Sequence, residues 1–394
     1  MNRQDAKTPE GFQFSIFDFR LKRQTNRKSQ IANRKSTFAW RHGVLAVAIL
    51  ISTCAWAQDD SPKMSEHPGV VRGDEITPEQ KAAVDRGLEH LASHQKPDGT
   101  FGNNADGFGT ISAVTSLSGL AFMESGSLPN RGKYGPNVQK CVDAILAASQ
   151  ESGLLVSEQA HAVMYSHGFA TLFLAEVYGM TGDEQVKEKL QKAVRLIQKT
   201  QNPQGGWRYQ PVPFDADISV TICQVMALRA ARDAGIKVEK DVIDNAIKYV
   251  RQCQNPDGGF NYMLGPVGGS GSAFPRSAAG VAALYYAGVF EGDDLKRGLD
   301  YVRKFQPGKG GDAAPNSHYF YGQYYAVQAM FLAGGDYWAD WYPAIRDELL
   351  TKQDKASGAW NGEINEDYCT AVALIILQMP NRYLPVFSGK GPGG

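Results

Sequence analysis

The chain has 394 residues, 43% of them hydrophobic, and its formal charge sums to zero. That is ample for a large core, with room for more than one domain. Residues 1–41 carry ten Lys/Arg against three Asp/Glu, while residues 58–394 carry 31 basic against 38 acidic side chains. This mildly acidic body has no electrostatic footprint for nucleic acid.

The first segment in chain order is a leader. Arg34, Lys35 and Arg41 precede the apolar run Val44–Ile51, and Ala55-Trp56-Ala57 follows. A charged stretch, a short apolar core and an A-x-A site predict a secretory signal peptide over residues 1–57, cleaved near Ala57. The mature protein is then expected to be secreted or periplasmic. The apolar run is too short for a permanent anchor, and a lipoprotein reading through Cys54 has Thr53 where a smaller residue is wanted. Residues 58–77 read as a short linker and 381–394 as a C-terminal tail. Cleavage leaves Cys141, Cys223, Cys253 and Cys369. Export permits disulfides, but no C-x-x-C spacing indicates a zinc or redox motif. Cysteines so scattered read as small buried apolar residues.

Residues 78–380 repeat. The turns HQKPDGTF (94–101), SQESGLLV (149–156), TQNPQGGW (200–207), CQNPDGGF (253–260), FQPGKGGD (305–312) and KQDKASGAW (352–360) place a Gln at 95, 150, 201, 254, 306 and 353. Self-similarity at this period marks a repeat architecture. Before each turn lie amphipathic stretches such as VKEKLQKAVRLIQKTQ and DVIDNAIKYVRQCQ, with apolar residues three and four apart. After it come stretches apolar on every side, such as VTICQVMALRAA and SAAGVAALYYAG, which read as buried helices. Each repeat is therefore predicted to pair an outer amphipathic helix with an inner buried one. Twelve such helices close into two concentric rings. The expected fold is all-α: a single (α/α)6 toroid of six helix-pair repeats, none able to bury its apolar faces alone.

These Gln-x-x-x-Gly-x-Trp/Phe turns, best preserved at Gln95–Phe101, Gln201–Trp207 and Gln254–Phe260, resemble the repeats of squalene and oxidosqualene cyclases and of protein prenyltransferase β subunits. The resemblance implies a toroid with a central, largely apolar cavity and an isoprenoid or other apolar ligand. Functional groups are then expected at the inner-helix N-termini, around one mouth: Asp106; His161 and His167; Asp215 and Asp217; Arg276; His318; Glu363, Glu366 and Asp367.

Squalene-hopene-type cyclases protonate an alkene with D-x-D-D-T-A, which needs a carboxylic acid held neutral in an apolar cavity. Asp215-Ala216-Asp217-Ile218-Ser219 keeps the first two carboxylates and has Ile218 in place of the third. Asp217 is the candidate proton donor, Asp215 its polarising neighbour and His167 a second cavity group. Equally, Asp217 can simply cap the helix that begins at Ile218. Prenyltransferase β subunits hold zinc with D-x-C and a later His. Here Asp217-Ile218-Ser219 has Ser for Cys, and Gly322 stands where the His is expected. The D-x-C at Asp367-Tyr368-Cys369 lies in the last repeat, with no repeat after it to supply the His. No metal and no cofactor are therefore predicted. His167-Gly168 resembles the diphosphate-binding His-Gly pair of those subunits, although His167 equally reads as a core histidine.

Phe169, Phe173, Phe214, Tyr319, Tyr321, Tyr324 and Tyr325 are candidates for carbocation or lipid contact, or for plain core packing. Substrate binding is expected from His167, Arg276, His318, Tyr321, Tyr324, Phe169 and Phe173, and an apolar ligand allows peripheral membrane contact. Two other function classes stay open. His318, Arg276 and Tyr321 suit a polysaccharide lyase or glycosidase on an α/α barrel. A non-catalytic scaffold would meet a protein partner through Trp338, Trp341 and Tyr342 in YWADWYPAIRDELL, unless those rings anchor the last outer helix.

Overall fold

The computed structural model describes residues 75–102, 112–156, 162–265, 271–308 and 318–387. The leader, Cys54, Asp106 and His161 lie outside these residues. Among the described residues twelve α-helices alternate between two layers. The outer ones are α1 (Pro78–His94), α3 (Gly135–Ala147), α5 (Glu184–Lys199), α7 (Lys240–Gln252), α9 (Asp293–Arg303) and α11 (Gly335–Lys352). The inner ones are α2 (Ser112–Glu124), α4 (Val163–Thr181), α6 (Ile218–Asp233), α8 (Phe274–Ala287), α10 (Tyr319–Ala333) and α12 (Glu366–Gln378). No helix of the described residues is long and apolar enough to cross a membrane.

The two layers follow from composition. α5 buries Val186, Leu190, Ala193, Val194 and Ile197, a single stripe at helical spacing. α2 buries every one of its residues. The inner helices touch in cyclic order, α2 to α4 and onward to α12, and α12 returns to α2. That closed sequence of contacts is the toroid.

The repeated turn joins the layers through three local devices. The Gln side chain crosses to the next outer helix. Gln201 Nε2 donates to Gly205 O at 2.9 Å and to Val242 O at 2.8 Å. Gln254 does the same with Gly258 O and Asp294 O. A turn glycine takes positive φ, and its missing side chain admits a carbonyl of that same neighbouring helix. At Gly205 and Gly258, a Cβ would run into the Asn245 and Arg297 carbonyls. Finally, the N–H of the turn aromatic donates to an inner-helix side chain: Phe101 to Thr115, Trp207 to Thr221, Phe260 to Ser277 and Trp360 to Thr370.

The sixth turn closes the ring with the same contacts. Gln353 Nε2 donates to Gly358 O and to Ala83 O of α1, each at 2.8 Å, and its Oε1 accepts from Arg86 at 2.7 Å. Gly358 has φ +81°, and a Cβ there would lie 2.6 Å from the Arg86 carbonyl oxygen. The seam between last and first repeat is thus an ordinary repeat interface. Cys141, Cys223, Cys253 and Cys369 are all free thiols in the core, as small apolar residues would be.

Trp338, Trp341 and Tyr342 are buried, which corrects the expectation that they form a partner surface. Trp338 stacks on Tyr342 with ring centroids 4.5 Å apart and donates to Glu75, while Trp341 stacks on Phe274. They anchor the last outer helix.

At the end of the ring where the inner helices finish, the chain's last described segment packs across α6, with Leu384, Val386 and Phe387 buried. Beneath it lie Glu124 of α2 and Glu176 of α4, both fully enclosed. Burial pushes both carboxyls up, with Glu176 reaching about 8; Glu176 adds to the rise at Glu124, and Asp233 to that at Glu176.

Two expectations follow. Gln353→Ala removes three hydrogen bonds at the seam and should cost about 2–4 kcal/mol in a denaturant titration. Gln150→Ala, on an exposed turn with one such bond to Val156, should cost under about 1 kcal/mol. Glu176 binds its proton more tightly folded than unfolded. The stability it lends is therefore complete below the ordinary carboxyl range and lost as pH rises through about 8. Glu176→Gln should flatten that decline in a thermal melt series from acid to mildly alkaline pH, and an unchanged slope would refute the assignment.

Candidate functional site

The inner-helix N-termini face one mouth, and the most developed polar cluster there surrounds Asp217. Its construction begins with the repeat. After Trp207 and Phe260 the chain runs across the start of the preceding inner helix. Tyr209 O accepts from Met164 N at the head of α4, and Tyr262 O accepts from Ile218 N at the head of α6. The period therefore sets Tyr209 and Tyr262 side by side, and their hydroxyls share a short hydrogen bond.

Asp217 is fully buried and caps α6: its Oδ1 accepts from Val220 N at 2.8 Å. Its Oδ2 accepts from the Tyr262 hydroxyl at 3.1 Å and lies 3.6 Å from Arg208 Nε. Burial pushes the carboxyl up to about 6, against the opposing pull of these hydrogen bonds and of Arg208. Asp215 sits further out and pairs with Arg208 Nη1 at 2.5 Å. One guanidinium thus meets both carboxylates, and it also lies 4.9 Å from the Tyr209 ring centroid and 5.9 Å from that of Tyr262. Tyr165 approaches Tyr209 from α4 at 6.2 Å. Chemically this is an acid of shifted affinity, linked by two phenols towards the surface and backed by a fixed cation.

The capping and acid readings of Asp217 coexist, since different oxygens serve them. Sequence reasoning missed Arg208, Tyr209, Tyr262 and Tyr165. The signal for two of them was available: Tyr209 and Tyr262 each follow a turn aromatic by two residues.

The remaining sequence candidates do not join this cluster as expected. His167 Nδ1 accepts from Leu155 N at 3.2 Å, and Nε2 meets Ala193 O at 3.3 Å. It occupies the place that Thr115, Thr221, Ser277 and Thr370 hold in other repeats. Burial pushes it down to about 4, so the ring is neutral. Its expected role as a second cavity group is therefore corrected to a core histidine that ties a degenerate turn. Arg276 bonds Phe260 O and Gly271 O, bracing its own loop. His318 is exposed at the head of α10 and pairs with Glu363 at 3.1 Å. Phe214 is 85% exposed on the loop before α6 rather than on an inner helix.

The other aromatics fill the interior. Tyr324 meets Phe169 of α4 edge-on at 6.0 Å and donates to Met226 of α6. Tyr325 lies 3.2 Å from Cys223 Sγ, and Tyr321 reaches Ser219 O of α6 at 3.4 Å. Phe173 is buried against Gly119. Helices α4 and α10 stand opposite one another in the ring, so the Phe169–Tyr324 contact crosses the centre of the toroid, and the contacts of α10 with α6 reach past α8 beside it.

Residues 169–331 match the family model of the squalene-hopene cyclase C-terminal domain. Drimenyl diphosphate synthase of Streptantibioticus cattleyicolor is 26% identical over 184 residues, which is 46% of this chain and 33% of that protein, so the match spans about a third of the curated relative's length. The α-1,6-mannanase GH76A of Salegentibacter sp. HEL1_6, bound to α-1,6-mannotriose, superposes with a TM-score of 0.57 at 10% identity over 77% of this chain and 99% of the mannanase. The type II terpene cyclase MstE of Scytonema, bound to merosterolic acid A, gives a TM-score of 0.54 at 13% identity over 77% of this chain and 97% of the cyclase. The chain is an all-α toroid that shares its fold with these terpene cyclase and α-1,6-mannanase structures.

Proposed function

We propose that this is an exported toroid that binds and acts on a carbohydrate at the mouth around Asp217. One observation carries the reading. The mouth holds carboxylates, a guanidinium and clustered phenols, whereas the interior beneath it is crossed by Tyr324, Tyr325 and Tyr321. A sugar is held by aromatic faces and polar groups at a surface, and a polyprene needs a deep apolar space. The family 76 mannanases that share the fold bind such a ligand, and a substrate outside the cell suits the predicted leader.

In this reading Asp217 is the proton reservoir. It exchanges with substrate through Tyr262 and Tyr209, and Arg208 and Asp215 hold the local charge balance. A carboxyl with an affinity near neutrality is matched to general acid work.

A second reading is favoured by the family match across residues 169–331, which includes Asp217: acid-initiated cyclisation of an isoprenoid. It places the same acid against an alkene instead of a glycosidic oxygen.

The deciding experiment offers the mature protein a panel of glycans, with α-1,6-linked mannan among them, and follows release of sugars across pH. Wild type should be active and decline as pH rises through about 6, where Asp217 loses its proton. Asp217→Asn keeps an effective cap, so it should remain folded and lose turnover by about 100-fold or more. Asp217→Ala should in addition cost about 1–2 kcal/mol of stability. A stoichiometric polyprene found by mass spectrometry of the purified protein, with no glycan cleaved or bound, would overturn the carbohydrate reading in favour of the cyclase.

A further inference from the structure

A second cluster lies at the ring seam, away from Asp217. α1 carries His90 and His94 one turn apart on one face. Ring closure brings the head of α12 against them. His90 Nε2 lies 3.8 Å from Glu366 Oε2. The two imidazole centroids are 3.8 Å apart, and ligand-capable atoms of His90, His94 and Glu366 all lie within 4.8 Å of one another. Asp367 flanks the group: its Oδ1 lies 3.1 Å from His94 Nδ1, and its Oδ2 accepts from Gly102 N at 2.9 Å.

His90 supplies the independent observation. It is only 6% exposed, and its Nε2 is enclosed without a hydrogen-bond partner. Buried ring nitrogens are ordinarily satisfied. The ring also has a backbone hydrogen bond to Ser357. The unpartnered Nε2 faces the Glu366 carboxylate, 3.8 Å away, with the second imidazole beside it. Metal-binding histidines are oriented in this way. Asp367 plays the corresponding part for His94.

We propose that His90, His94 and Glu366 form a divalent transition-metal site of the zinc class, clamping the first repeat to the last. Two imidazoles and one carboxylate are borderline-soft nitrogen and oxygen donors, suited to zinc rather than calcium or magnesium. Zinc–ligand bonds of about 2.0–2.1 Å need ligand atoms roughly 3.4 Å apart in a tetrahedron. The present spacing is therefore close and slightly open. His94 and Glu366 have side chains 43% and 38% exposed, so they can move inward and leave the fourth position to water. The site is separate from the residues that fail the zinc pattern in the sequence, Ser219 and Gly322.

The test is calorimetric titration of the untagged mature chain with zinc chloride at neutral pH, paired with thermal melts. One zinc per chain and a rise in Tm are expected. His94→Ala and Glu366→Gln should each weaken binding by about tenfold or more and abolish the rise. Both groups are half-exposed, so circular dichroism should be unchanged. His318→Ala, at the other surface His–Glu pair, should leave binding intact. Absence of binding at millimolar zinc, or equal binding by wild type and both seam variants, would overturn the site.

Discussion

The structure depends on one recurring contact: in five of the six turns a described glycine approaches a carbonyl of the next outer helix. With positive φ and no Cβ, Gly99, Gly153, Gly205, Gly258 and Gly358 let the turn backbone press against the neighbouring repeat. At Gly99, Gly205, Gly258 and Gly358, the Gln four or five residues earlier reaches across to the same helix. Neither device is complete within one repeat, because each needs a carbonyl of the next. The sequence period is therefore an interface period. The ring closes because the sixth interface, Gly358 and Gln353 on Arg86 and Ala83, obeys the same geometry as the others.

This constraint also sorts polar residues. Where the turn aromatic needs a partner, the inner helix supplies Thr115, Thr221, Ser277 or Thr370. His167 fills that place in the second repeat, and its enclosure makes it neutral. A histidine at the mouth end of an inner helix looks catalytic until its repeat equivalents are aligned. Asp217 passes the same comparison differently. One oxygen caps α6, as Asn365 caps α12, and the other is left to Tyr262 and Arg208.

The helix pairs, their order and their two layers were legible in the sequence because periodicity and turn chemistry act locally. The filling of the centre was not. Whether Tyr324 and Tyr325 line a space or cross it depends on the rotation of α10 relative to α6, which no local pattern fixes. The buried Trp338 and Trp341 fail for the same reason: an aromatic at helical spacing does not declare which neighbour it will meet. Arg208 was overlooked because it stands in a turn between two structural residues, and only the folded loop returns Asp215 and Asp217 to it.

Linear order misled most at the seam. Along the chain, Asp367-Tyr368-Cys369 has no successor, and a histidine partner is sought downstream in vain. In a closed ring the successor of the last repeat is the first. His90 and His94 come nearly three hundred residues earlier, and closure sets them against Glu366 and Asp367. Cys369 remains in the core, so the donors that meet there are imidazoles and carboxylates. A toroid thus creates one juxtaposition that no pair of consecutive repeats contains. It is also the one place where a ligand can act on ring closure itself, since any group that binds across α1 and α12 stabilises the closed state over every opened one.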